Sequence, residues 1–172
     1  WGYLSPYIEP ERLTIGSLMR NAGYTTACVG KWHLGLDWQL KDDSKPQILT
    51  PKKFGYTNTD FSAPVKRGPT ELGFDYSFIL PASLDMPPYA FVRNDRVVDP
   101  DVILTADAYP KKQDETVYAW DRKHTNENDI YWERGVWWRN GEMSRSFKFE
   151  ECFPTIVDEG IAFIDREGRK GK

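Results

Sequence analysis

What most constrains this chain is a change of hydrophobic period between residues 9 and 35. Ile15, Leu18, Met19 and Ala22 follow the i, i+3, i+4, i+7 spacing of one helical face. Ahead of them, Pro10 suits a first helical turn, where its missing N–H costs nothing, and Glu9 and Glu11 suit the positive end of a helix dipole. Asn21 and Gly23 supply a stop, with Gly23 where left-handed backbone is favoured. Tyr24-Thr25-Thr26-Ala27-Cys28-Val29 then reads as a short strand of aromatic, β-branched and small residues, closed by Gly30. A helix, a glycine turn and a buried strand make half of an α/β unit.

A second helix is expected over 153–167. Pro154 can open it, Ile156, Val157, Gly160, Ile161 and Ile164 lie close to one face, and Glu167-Gly168 ends it. The stretch between the two units has a different character. Proline recurs through it, and short strand-like pieces at 89–93 and 97–98 are its only regular signals. So long a connection usually carries function or shapes a rim. Trp132, Trp137 and Trp138 stand in its aromatic, charged second half.

Composition narrows the class. With 23 Lys and Arg against 26 Asp and Glu, the net charge is -3, without the basic excess that nucleic-acid binding draws on. At 40% hydrophobic the chain is too apolar for disorder, and no run approaches the roughly 18 apolar residues of a membrane span. Trp1 and the polar run Arg169-Lys170-Gly171-Lys172 read as internal cut points of a longer protein. Cys28 and Cys152 belong to no CxxC pair or His/Cys cluster. Cys28 reads as a small core residue.

Chemistry concentrates in Gly30-Lys31-Trp32-His33-Leu34-Gly35, directly after the expected strand. If extended geometry persists, Lys31 and His33 project to one side and Trp32 to the other. The carboxyl ends of strands in α/β sheets are where ligands bind. A lysine ammonium there can hold an oxyanion while a histidine exchanges a proton near neutral pH. Gly30 and Gly35 would permit close backbone approach. On spacing alone, a solvated lysine beside a hydrogen-bonded histidine fits equally well.

The run from Gly23 to Gly35 resembles the second signature of the sulfatases, the formylglycine-dependent sulfuric ester hydrolases. A further block, Gly68-Pro69-Thr70-Glu71-Leu72-Gly73-Phe74-Asp75-Tyr76 leading to Pro81-Ala82-Ser83-Leu84-Asp85-Met86-Pro87-Pro88-Tyr89, is similar to the segment that follows in arylsulfatases and glycan sulfatases. The resemblance implies an α/β fold with an alkaline-phosphatase-like mixed sheet flanked by helices, present only in part. It implies an internal piece of a catalytic domain, divided into a helix–strand unit at 9–35, an irregular substrate-side region at 36–150 and the helix at 153–167. Lys31 would contact the sulfate and His33 would hydrogen-bond the nucleophile's hydroxyl and help release sulfate. Ser83 would reach the substrate pocket and Asp85 would lie near substrate. For Ser83 and Asp85 the competing reading is turn chemistry ahead of Pro87-Pro88. Implied partners are a small-molecule or glycan sulfate ester and the remainder of the parent chain, with no nucleic acid and no membrane. Family habit favours a periplasmic, secreted or lysosomal setting.

The chain departs from the family pattern in two ways. The nucleophile motif, Cys-x-Pro-Ser-Arg or Ser-x-Pro-Ser-Arg, does not occur. Cys152-Phe153-Pro154-Thr155-Ile156 imitates its opening but carries Ile156 in place of arginine, and reads as a helix start. The aspartates that would hold the implied Ca2+ also have no matching blocks, so formylglycine and calcium are expected from outside this chain. Asp42-Asp43 reads as a solvated loop pair and His124 as a surface histidine. The alternatives are a phosphate-ester or phosphonate hydrolase of the same superfamily, and a non-catalytic carbohydrate-binding module using Trp132, Trp137 and Trp138.

Overall fold

The computed structural model of the chain describes residues 2–48, 55–109, 117–119 and 137–170, with the backbone alone at 117–119 and 137–138. Helix α1 (Ile15–Asn21) starts five residues later than Pro10 suggests. Thr14 is its N-cap: its side chain accepts from Ser17 N, while Ser17 Oγ accepts from Thr14 N. This reciprocal box satisfies backbone donors that a proline start would leave to water. Glu9 and Glu11 therefore precede the helix, and Glu9 pairs with Arg12 in an exposed turn at 2.7 Å. The expected buried face is also corrected. Ile15 is 66% and Leu18 50% exposed, and the helix instead packs through Gly16, where an added Cβ would sit 2.9 Å from the Phe74 ring.

Gly23 turns the chain at φ 87 into β1 (Ala27–Lys31). A strand without a clear sequence signal, β2 (Tyr76–Leu80), lies parallel to β1 with Val29 opposite Phe78 and Lys31 opposite Leu80. On its other side β2 pairs antiparallel with β3 (Val92–Arg93), which continues through a tight turn into β4 (Arg96–Val97). Asn94 takes left-handed backbone there (φ 55), and its Oδ1 accepts from Ser77 N at 3.0 Å. Only the last two residues of the expected 89–93 strand are strand, and the 97–98 piece shifts back by one residue. The sheet order β1-β2-β3-β4 puts β2 in the interior and β1 at an edge.

Two short antiparallel pairs complete the strands: β5 (Val102–Leu104) with β8 (Glu142–Ser144), and β6 (Val117–Ala119) with β7 (Trp137–Arg139). The one-turn helix α2 (Thr105–Ala108) follows β5. Helix α3 (Cys152–Gly168) starts where Cys152 suggests and carries Pro154 in its first turn. It lies on β1 and β2, with Phe163 stacked on Tyr76 at 5.5 Å and Glu159 accepting from the Tyr76 hydroxyl at 2.6 Å. The result is a mixed α/β arrangement. One core gathers Trp32, Trp38, Phe61, Ile79 and Val92, and a second gathers Leu80, Tyr89, Met143, Phe147 and Phe149. Among the described residues no helix is long and apolar enough to cross a membrane. His124 and Trp132 lie outside the described residues, and the side chains of Trp137 and Trp138 are likewise outside them.

Candidate active site

The ladder between β1 and β2 runs on past the strand ends, with Trp32 N donating to Leu80 O and His33 N to Pro81 O, both at 2.9 Å. Lys31 is exposed, Trp32 is buried in the first core with Nε1 on Gly35 O at 2.8 Å, and His33 is half-buried. The indole thus points away from the side that carries the ammonium. Extended geometry stops at Trp32, because His33 has left-handed backbone at φ 58. For a residue with a Cβ this costs roughly 1–3 kcal/mol, and such strain gathers where the surrounding structure over-determines a side chain.

Past His33 the chain is pinned. Tyr7 N donates to Leu34 O at 2.9 Å and Leu36 N to Leu4 O at 3.0 Å. Between them Gly35 (φ 76) lies so near the 4–7 segment that a Cβ would meet Ser5 O at 2.1 Å. Close approach explains Gly35. Gly30 has open space around it, and its need is conformational, at φ 131.

The imidazole of His33 is held below its ordinary proton affinity, first by burial and next by the Lys31 ammonium; Asp85 and the Ala82 backbone act in the opposite sense. Its Nδ1 is buried with no hydrogen-bond partner among the described residues. A neutral imidazole beside a fixed cation can accept a proton near neutral pH while the cation holds an anion.

Ser83 and Asp85 stand on the turn that follows β2, close to His33. Ser83 Oγ donates to Asp85 Oδ1, and Met86 N donates to Ser83 O at 3.0 Å. The turn chemistry that competes for these residues is present, and it ties the two side chains together. A fifth residue joins them. Arg139 Nη1 donates to Asp85 O at 3.1 Å and lies 3.6 Å from Asp85 Oδ2. Nothing in the sequence points to Arg139, which is distant in the chain and sits in no motif.

The described residues do not supply the metal and nucleophile that the resemblance implies. Among them no group of three or more His, Cys, Asp or Glu side chains could hold a metal ion. Cys152 is a buried helix-start residue whose thiol is pushed up by burial to about 11, the opposite of an activated sulfur. Asp42 caps its own loop, accepting from Ser44 and pairing with Lys45 at 2.7 Å.

The chain is 30% identical over 167 residues to an N-acetylgalactosamine-6-O-sulfatase of Bacteroides thetaiotaomicron, a match covering 91% of this chain and 29% of the relative. Over 36 residues it is 47% identical to the steryl-sulfatase of Rattus norvegicus, covering 21% of this chain and 6% of that protein. A solved 6S-sulf structure, from work on the metabolism of multiple glycosaminoglycans by Bacteroides thetaiotaomicron, matches the fold with a TM-score of 0.58 and 25% identity, over 96% of this chain and 33% of that one. No protein-family model matches the chain. The chain thus spans 29% of the length of this N-acetylgalactosamine-6-O-sulfatase.

Proposed function

We propose, for this sulfatase-family chain, that the protein it is part of hydrolyses sulfuric esters of the arylsulfatase or glycan sulfatase type, and that the chain is an internal part of the catalytic domain. One observation carries the reading. Lys31 and an imidazole of lowered proton affinity stand together at the end of β1, with an orphaned buried nitrogen and strained backbone at His33. A buried polar atom without a partner is a feature that a bound group would account for.

Lys31 offers a compact positive charge to the sulfate oxygens, on which charge grows as the ester bond breaks. His33, its proton affinity lowered by burial and by Lys31, accepts the proton that the attacking oxygen loses as the S–O bond to the alcohol breaks. Ser83 and Asp85 border the same strand end and are proposed to meet the alcohol portion of the ester. Formylglycine and Ca2+ belong to the proposal only for the protein as a whole. The described residues do not fit either group, and none of these steps depends on one. A sulfated glycan is the proposed substrate class, drawing on the relatives named above.

The test is a paired assay of the full-length protein. Aryl sulfate, aryl phosphate and a glycan carrying N-acetylgalactosamine-6-sulfate are offered side by side, and sulfate release is expected to dominate. Preferential phosphate release, or glycan binding without ester cleavage, would overturn the proposal.

A further inference from the structure

We propose that Arg139 is a positioning residue of this site: from a backbone fastened to Tyr89, its guanidinium grips the 83–86 turn at Asp85 and fixes that carboxylate beside His33. The inference rests on the assignment of His33 made above.

Tyr89 is fully buried, with its ring edge-on to Phe149 at 4.8 Å and tilted against Phe147 at 6.3 Å. Its hydroxyl accepts from Arg139 N and donates to Arg139 O, each at 3.0 Å. A phenol held by its ring therefore fixes the peptide units on both sides of the Arg139 Cα. The following residues are equally tied. Asn140 Oδ1 accepts from Thr105 Oγ1 and Ala106 N, each at 3.0 Å. Gly141 N donates to Thr105 Oγ1 at 3.0 Å, and a Cβ on Gly141 would meet the Pro87 ring at 2.5 Å.

From this anchored position the guanidinium reaches both the backbone oxygen and the carboxylate of Asp85. The side chains are 25% and 27% exposed, so the contact is neither a freely solvated surface pair nor a fully desolvated one. Asp85 also takes the Ser83 hydroxyl, so one grip orders both residues of the turn.

Among the described residues, the charged groups facing His33 are Lys31 from β1 and Asp85 from the turn, with Arg139 behind Asp85. Lys31 opposes protonation and Asp85 favours it. The placement of Asp85 therefore sets how far the ammonium depresses the imidazole. Arg139 exerts its effect through that placement, with no contact to the reacting atoms required.

The experiment uses the full-length protein, following the His33 side-chain NMR titration and the pH profile of kcat. Asp85→Asn should lower the His33 midpoint. Arg139→Ala should shift it the same way, Arg139→Lys should do so by less, and Arg139→Ala should add nothing in an Asp85→Asn background. kcat should fall about tenfold in Arg139→Ala with KM nearly unchanged, as expected when a reacting group is slightly misplaced. A raised midpoint in Arg139→Ala, a shift that persists in the Asp85→Asn background, or no shift in Asp85→Asn itself would each overturn the proposal. The lysine variant keeps the charge and most of the packing, so a misfolded alanine variant leaves the question decidable. Absence of sulfate release by the wild type would defeat the functional reading alone, since the titrations decide Arg139 independently.

Discussion

The strand-and-turn side of the molecule and its helical side are packed very differently. Around β2 and the turn after it, Ile79, Tyr89 and Ala90 are wholly excluded from solvent, and the Tyr89 hydroxyl is bonded to the backbone on both sides of the Arg139 Cα. On the other side, α1 and α3 leave Ile15, Phe153, Ile161 and Ile164 more than half exposed, next to β1 at the sheet edge. Side chains that are closed in already lose contacts when trimmed, whereas exposed apolar ones have nothing to lose until something covers them. The turn that carries Ser83 and Asp85 adjoins the closed side, which holds it through Arg139 and Tyr89.

Truncation should expose that asymmetry most strongly. Ile79→Ala removes a side chain with no exposure and should cost about 2–5 kcal/mol in the full-length protein, read by urea denaturation. Ile164 is 68% exposed, and on that basis Ile164→Ala costs no more than about 0.5 kcal/mol. A cost well above that in the full-length protein would show that a further segment covers the helical side, and would turn the comparison into one between two interiors.

Lys31→Ala comes next in size. It should lower turnover about a hundred- to a thousandfold, the effect of losing one donor to a developing oxyanion, while the unfolding transition stays nearly in place. The same substitution carries a pH signature. The ammonium lowers the proton affinity of His33, so its removal raises that affinity, the neutral base is depleted at a higher pH, and the acid limb of kcat moves upward. An unmoved limb would separate the two groups and detach His33 from the site.

A smaller effect is expected at Glu142, which is fully buried and ties three segments together. Its Oε2 accepts from Tyr3 OH and Thr57 Oγ1, each at 2.7 Å, and its Oε1 from Thr57 N at 3.0 Å. Burial and this carboxylate raise the Tyr3 phenol well above its usual proton affinity. Glu142→Gln puts an NH2 against one of these donors and should cost about 1–3 kcal/mol in thermal or chemical unfolding. A neutral result would mean that the closed side tolerates an unmatched donor and is looser than its packing implies.

Local signals account for what the sequence discloses. The apolar spacing after Pro154 becomes α3, whereas β1 keeps only the end of the run before Gly30. It begins at Ala27, leaves Thr25 and Thr26 outside, passes through Gly30 to Lys31 and is half-buried rather than buried. At the start of α1, Pro10 is the louder signal, yet Thr14 and Ser17 prevail, because their capping box decides where the backbone donors are satisfied. β2 is a short apolar run between Asp75 and Pro81, too brief for periodicity to tell a strand from a buried helical segment. At the site, the Lys-x-His spacing is readable, but the left-handed backbone at His33 is not, since it depends on the return of the chain at Gly35. Arg139 is invisible for a similar reason: its partners Asp85 and Tyr89 meet it only through folding.

The first residues of the chain have a mechanical consequence. Gly2 N donates to Pro87 O at 3.0 Å and Gly2 O accepts from Trp38 Nε1 at 2.7 Å, while Leu4 and Tyr7 hold the loop beyond His33. So brief a cord joins the turn after β2 to the loop beyond His33. A rearrangement that moved those two apart would have to break main-chain hydrogen bonds at one end of it.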